Sequence, residues 1–262
     1  PDPNVLLPWL EQQGFKSLIA KFTKELGEAT NPVAPAAAPA PVGKVEAAAP
    51  KPAPKAHAKS NQPFTAADCE MIQNEAQLAE WVAEATKAGA VAFDCETDAL
   101  DANNAGLVGV SLALLEGPWG DVNSTRRRAA YLPLAHRYAG VPQQLTFDEA
   151  LARLKPWLES PRHAKVGQNL KYDMHVLANH GIRLAGVAHD TLLASYVIES
   201  DKGHDMDSLA ARHLGITTIK YDEVTGKGAG RIGFDQADIE RAAEYAAEDA
   251  EITLRLHEAL HP

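Results

Sequence analysis

Cysteine is scarce: Cys69 and Cys95 are the only two in a chain of 262 residues. Two thiols at that spacing make neither a disulfide framework nor a metal-binding pair, so a reduced compartment is expected. No apolar run approaches the ~20 residues needed to span a bilayer, and no secretory leader is visible. No membrane association is expected, and the cytoplasm is the simplest location. An initiator methionine is also missing, the sequence opening Pro-Asp-Pro and closing Leu-His-Pro. A piece of a longer polypeptide is the expected explanation. The ten histidines are read as forming no zinc-type pairing.

Positive charge is short as well, with 25 Lys+Arg against 35 Asp+Glu and a formal net charge of −10. Residues 1–63 carry 7 basic and 5 acidic groups, so the balance over 64–262 is −12. Attraction to a phosphate backbone needs positive surface, so this part should bind duplex nucleic acid poorly by itself.

What is present falls into three stretches. Residues 3–27 show a rough helical stripe of Trp9, Phe15, Leu18, Ile19, Phe22 and Leu26. Residues 31–63 contain 8 Pro and 11 Ala and no apolar periodicity, the composition of an extended tether. From residue 64 onward the pattern is α/β. Asn74 caps an expected helix over 75–88 closed by Gly89, and strands are expected at 91–96, 107–115 and 129–135. Their connections leave no room for a crossover helix, so these three strands should pair antiparallel. Thr146 and Glu149 suggest a capping box for a helix to about 158. A strand at 165–168, helices at 171–180, 191–199 and 206–214, and a long helical region over 235–260 follow. The sum is a mixed sheet covered on both faces.

Carboxylates mark the ends of these elements. Asp94 and Glu96, in VAFDCETD, project from one face of a strand because side chains alternate. Tyr245 and Asp249, in YAAEDAEIT, share a helix face one turn apart. Asp173 closes VGQNLKYD. Converging carboxylates without soft ligands suit hard divalent cations, magnesium or manganese, better than zinc. Two such ions can clamp the attacking and leaving oxygens of a phosphodiester displacement. Asp-x-Glu alone is weak, since Asp68–Glu70, Asp238–Glu240 and Asp249–Glu251 also match. Only Asp94–Glu96 follows a strand-like run and opens a turn.

Together with HDTLLASYVIES and GHDMDSLAARHLG, these three segments resemble the proofreading 3′–5′ exonuclease domains of bacterial family A DNA polymerases, in the tyrosine subtype of the DEDD exonucleases. The resemblance implies a ribonuclease H-like fold over 64–262. It also implies that residues 1–30 are the tail of a preceding 5′-nuclease domain, that 31–63 are a disordered linker, and that a polymerase domain is covalently attached. The expected activity is metal-dependent release of nucleoside 5′-monophosphates from single-stranded or frayed DNA 3′ ends, by a monomeric bacterial, nucleoid-associated protein. By that resemblance Asp94 bridges two ions, and Glu96 and Asp249 complete the site of the ion that activates water. Asp173 holds the second ion largely through water, and Tyr245 orients the attacking water with Glu96. A ribonuclease D-like RNA-trimming enzyme and a non-catalytic scaffold are the alternatives.

Substrate contacts are expected from Leu100 as an apolar wedge, from Asn169 and Tyr172 beside Asp173, and from Phe234 as a stacking ring. Each has a packing or capping role as its ordinary alternative. GKGAG at 226–230 lacks the phosphate-loop spacing, and reads as a surface loop placing Lys227 and Arg231 near the substrate path. Arg126–Arg128 read as a basic run in a solvated connection, and Cys95, opposite in phase to Asp94 and Glu96, as core.

Overall fold

The computed structural model describes residues 3–12, 15, 18, 19, 23, 64, 68–115 and 127–261. The chain divides into two compact units, 1–53 and 54–262. In the first, helix α1 spans Pro3–Gln12, and the ring centroids of Trp9 and Phe15 are 6.1 Å apart. Phe22 and Leu26 of the expected helical stripe, and the tether at 31–63, lie outside the described residues.

The second unit is built on a six-stranded mixed sheet in the order β1-β4-β3-β2-β5-β6. The strands are β1 Cys69–Met71, β2 Val91–Thr97, β3 Leu107–Leu115, β4 Arg127–Pro133, β5 Lys165–Gly167 and β6 Val187–Asp190. β2, β3 and β4 pair antiparallel as their short connections require, and β1–β4, β2–β5 and β5–β6 pair parallel. The expectation that the antiparallel trio comes first needs correction, because β1 precedes it. β4 also starts earlier than expected and takes in two of the three arginines assigned to a loop. Arg127 bonds Glu258 at 2.6 Å, while Arg128 holds Glu70 at 2.6 Å, pairs with Glu84 and lies 4.8 Å over the Trp81 ring. Arg126 lies outside the described residues.

Alternation along β2 sorts its side chains between two layers. Val91, Phe93 and Cys95 enter an apolar core with helices α2 Glu75–Lys87, α3 Phe147–Leu158 and α4 Leu170–Asn179. Ala92 faces the other way, where Ala113 and Ala129 meet Ala247, Ala250 and Leu254 of a long helix. That helix is α8, Ile239–Leu260, which follows α5 Thr191–Ile198, α6 Met206–Leu209 with its π-helical continuation Ala210–Leu214, and α7 Tyr221–Thr225. Alanine on both sides lets α8 lie close over β2, β3 and β4. Asp94 and Glu96 share the parity of Ala92, so the sheet aims both at α8.

The ends of α2 and α3 differ in detail from the sequence reading. Asn74 accepts the Gln77 N–H at 3.0 Å as expected, but Ala88 rather than Gly89 forms the C-cap of α2. At α3 the Thr146 hydroxyl donates to the Glu149 carboxylate instead of accepting a backbone N–H.

Candidate active site

Cross-strand register lays the site out in two rows on the α8 face. Asp94 pairs with Ser111, which pairs with Tyr131; Glu96 pairs with Gly109, which pairs with Pro133. Gly109 is required by close approach: a Cβ there would lie 2.2 Å from the Tyr131 hydroxyl oxygen. Tyr131 is fully buried, and its hydroxyl meets His136 Nε2 at 2.8 Å.

α8 brings Tyr245 and Asp249 down onto these rows. Carboxylate oxygens of Asp94, Glu96 and Asp249 all lie within 4.8 Å of one another, the one such ligand group among the described residues. Glu96 Oε1 and the Ser111 hydroxyl are buried without a hydrogen-bond partner. A buried carboxylate oxygen with nothing to satisfy it, in an all-oxygen donor set, fits a hard divalent cation.

Asp173 enters from the first turn of α4, 2 % exposed, and its Oδ1 accepts the Cys95 N–H at 2.8 Å. β5 ends at Gly167, so the edge of β2 beyond that point is closed by this side chain rather than by a strand. Asp173 lies outside the converging trio, although its charge acts on Glu96 and it feels Asp94. The turn that carries Asp173 is fixed by Asp190, whose carboxylate accepts the N–H groups of Asn169, Leu170 and Leu193 at 3.1, 2.9 and 3.2 Å. Asn169 takes a left-handed conformation at φ 63°, which Asn tolerates better than most residues. Sequence reading passed over Asp190; its place just before the helix of HDTLLASY, as an N-cap, was the available signal.

Burial raises every acid in the group. It pushes Asp94 from 3.8 to about 7. Burial first, then Asp94, Asp249 and Asp173, hold Glu96 well above the carboxylate range. Burial and Asp94 do the same to Asp173 and Asp249, and hydrogen bonds from Cys95 and Tyr245 respectively oppose them. Without a cation the site therefore retains protons. Tyr245 is raised too, by burial and then by Asp249 and Glu96, so its phenol is a proton donor and not a base.

The four substrate candidates separate. Leu100 is 96 % exposed. Tyr172 donates to the Ala99 carbonyl at 2.5 Å and meets the Thr97 hydroxyl at 2.6 Å, fixing the turn that presents Leu100. The side chain of Asn169 makes no capping bond. Phe234 is fully buried, 5.8 Å from His136, 6.0 Å from Tyr221 and 5.9 Å from Tyr245 in ring-centroid distance. A base cannot stack on a ring with no exposed face, so Phe234 is a packing residue that backs Tyr245.

A family model described as 3′–5′ exonuclease, of the DNA polymerase A type, matches residues 69–262. The chain belongs to this 3′–5′ exonuclease family. DNA polymerase I of Pseudomonas aeruginosa is 50 % identical over 196 residues, which covers 74 % of this chain and 20 % of the relative. The exonuclease chain thus spans about a fifth of the length of that curated relative. Among solved structures, the POL domain of Pol1 from M. smegmatis matches with a TM-score of 0.52 at 20 % identity, covering 73 % of this chain and 27 % of that one. Trypanosoma brucei RNase D matches at 0.55 and 19 %, covering 74 % and 64 %. At such identities the structures show the fold alone, and the fold is ribonuclease H-like.

The exonuclease also holds a pair the sequence reading overlooked: His257 on α8 and His261, its C-cap, make an H-x-x-x-H couple. With His189 of β6 they form a ring cluster at centroid distances of 4.4, 4.5 and 5.1 Å. Their ligand atoms do not converge as those of the carboxylates do. Among the described residues no helix is long and apolar enough to cross a membrane.

Proposed function

We propose that residues 64–262 are the proofreading part of a DNA polymerase I, a hydrolase using two divalent cations to release nucleoside 5′-monophosphates from single-stranded or frayed DNA 3′ ends. The convergence of Asp94, Glu96 and Asp249 beside Tyr245 carries this reading. Asp94 would serve both magnesium or manganese ions, Glu96 and Asp249 would complete one site, and Asp173 would serve the other through water. Bound there, the ions supply charge relief to the phosphoryl oxygens and acidify the attacking water. Tyr245 now donates to Asp249; once that carboxylate is engaged, its hydroxyl is available to aim the water with Glu96. Leu100 wedges against the terminal base, and Asn169 contacts the strand. Tyr172 acts through the turn it anchors.

In this reading residues 1–30 are the tail of a 5′-nuclease domain, 31–63 a linker, and a polymerase domain is covalently attached. The chain works as a monomer in the bacterial cytoplasm, at the nucleoid. The likeness to RNase D makes RNA trimming the second reading. Labelled DNA and RNA single strands, incubated with magnesium, manganese or chelator, separate the two. DNA should shorten from its 3′ end with either metal and stay intact in chelator. Preferential loss of RNA would favour the RNase D-like reading, and loss of neither a non-catalytic scaffold.

A further inference from the structure

The carboxylate cluster has an electrostatic difficulty: its substrate is a polyanion, and residues 64–262 carry a balance of −12. A strand can approach only if cations stand on its path. Two exposed guanidinium groups meet that need, both tied to the segment 231–235. Arg231 lies 5.0 Å over the ring of Tyr221 and donates to Asp222 at 3.0 Å, leaving its side chain 50 % exposed. Tyr221 stands edge-on to Tyr245 at 6.0 Å and feels the charge of Glu96, which places Arg231 beside the water-orienting edge of the site. Arg137 is 73 % exposed; its N–H donates to the Asp235 carbonyl at 2.7 Å, and its Nε is held by the buried Asp235 carboxylate. It also lies within electrostatic reach of Asp98, two residues beyond Glu96, at the turn that presents Leu100.

Each guanidinium is fixed by a single carboxylate through one nitrogen, Nε in Arg137 and Nη2 in Arg231. A guanidinium has five N–H donors, so both keep donors for a bidentate phosphate contact. We propose that Arg137 and Arg231 form a phosphate-binding rim that receives the sugar-phosphate backbone of the single strand behind its 3′ terminus. The rim rests on the exonuclease reading above. It places the positive charge where the backbone enters, and leaves the site itself acidic for the cations.

Salt dependence tests the rim directly, because each phosphate contact on a single strand adds about 0.7 to the slope of log kcat/KM against log salt. Arg137→Gln, Arg231→Gln and the double variant are compared with wild type on an oligo-dT strand between about 50 and 200 mM salt. Binding of a fluorescent oligo-dT in chelator is followed by anisotropy in parallel. The rim predicts a slope shallower by about 0.7 per arginine and about 1.4 in the double variant, weaker binding, raised KM and a nearly constant kcat. Arg231→Lys should restore the slope, and Lys87→Gln, an exposed cation on α2 across the sheet, should leave it unchanged. Unaltered slopes and binding in the Arg137→Gln and Arg231→Gln variants, with a wild type that degrades DNA, would overturn the rim alone. A wild type that degrades no DNA would overturn the exonuclease reading beneath it.

Discussion

Asp173 accepts the backbone N–H of Cys95, the residue between Asp94 and Glu96, at 2.8 Å. One side chain thereby closes the open edge of β2 and holds the second motif against the first. Its two duties can be separated. Asp173→Asn keeps an acceptor for the Cys95 N–H and removes the charge; Asp173→Ala removes both. Leaving that N–H unpaired should cost ~1–3 kcal/mol relative to the Asn variant. Both variants should lose at least about a hundredfold in turnover, or ~2.7 kcal/mol. Urea denaturation of the pair checks this, and equal midpoints would show that the hydrogen bond is not structural.

Stability in chelator should depend on pH through the same cluster. The folded state holds protons that the unfolded chain releases, since Asp94 rises from 3.8 to about 7 and Glu96, Asp173 and Asp249 rise as well. A raised acid stabilises fully below its unfolded value and loses that contribution as pH climbs through the folded one. Burial moves His136, His180, His189 and His213 downward, with the opposite effect on stability. The measurement is therefore a difference: Tm of Asp94→Asn/Glu96→Gln minus Tm of wild type, in chelator. It should grow as pH rises from about 4 to above 7. Manganese at about 100 times its Kd should restore ~2.7 kcal/mol to the wild type. A flat difference would mean that burial does not raise these carboxylates.

Gly109 should resist substitution although it lies in the middle of a strand. An added Cβ would meet the Tyr131 ring and hydroxyl at 2.2–2.5 Å, and Tyr131 is held by His136 with no free space. Overpacking of this kind costs ~1–3 kcal/mol. Gly109→Ala should lower the urea midpoint by that amount at constant m, and slow turnover because Glu96 is its cross-strand partner. An unchanged midpoint would show that Tyr131 can move.

Much of this was legible in the chain. Apolar runs exposed β2 and β3. Alternation set Asp94 and Glu96 on one strand face and helical spacing set Tyr245 and Asp249 on one helix face, while the family resemblance joined the two pairs. β1 and β6 have three and four residues and lie at the sheet's two edges, too short for alternation to register. Arg127 and Arg128 looked like a solvated run because their partners Glu258, Glu70 and Glu84 are distant in sequence. Phe234 looked free because its neighbours Tyr221, His136 and Tyr245 come from three separate segments. Alternation and helical spacing describe one element at a time, whereas these packing partners belong to the tertiary fold.

Tyr245 and Asp249 should fail in different ways. The phenol donates one hydrogen bond, so Tyr245→Phe should cost ~1–3 kcal/mol, roughly ten- to a hundredfold in rate. Its manganese titration should stay nearly unchanged. Asp249→Ala removes an oxygen from the converging trio and should weaken manganese binding as well as turnover. Single-turnover rates and metal titrations of both variants test this; an equal loss of metal affinity in Tyr245→Phe would show that the phenol supports the metal site.

The most direct test of the central claim is a manganese titration of wild type and of Asp94→Ala/Glu96→Ala, following bound metal and release of nucleotide from a 3′-labelled DNA strand. Wild type should bind manganese and release nucleoside 5′-monophosphates from the 3′ end. The double variant should do neither at any manganese concentration, while its Tm in chelator stays level or rises because two mutually repelling acids are gone. Nucleotide release by the double variant at the wild-type rate would contradict the claim that these carboxylates hold the catalytic metal.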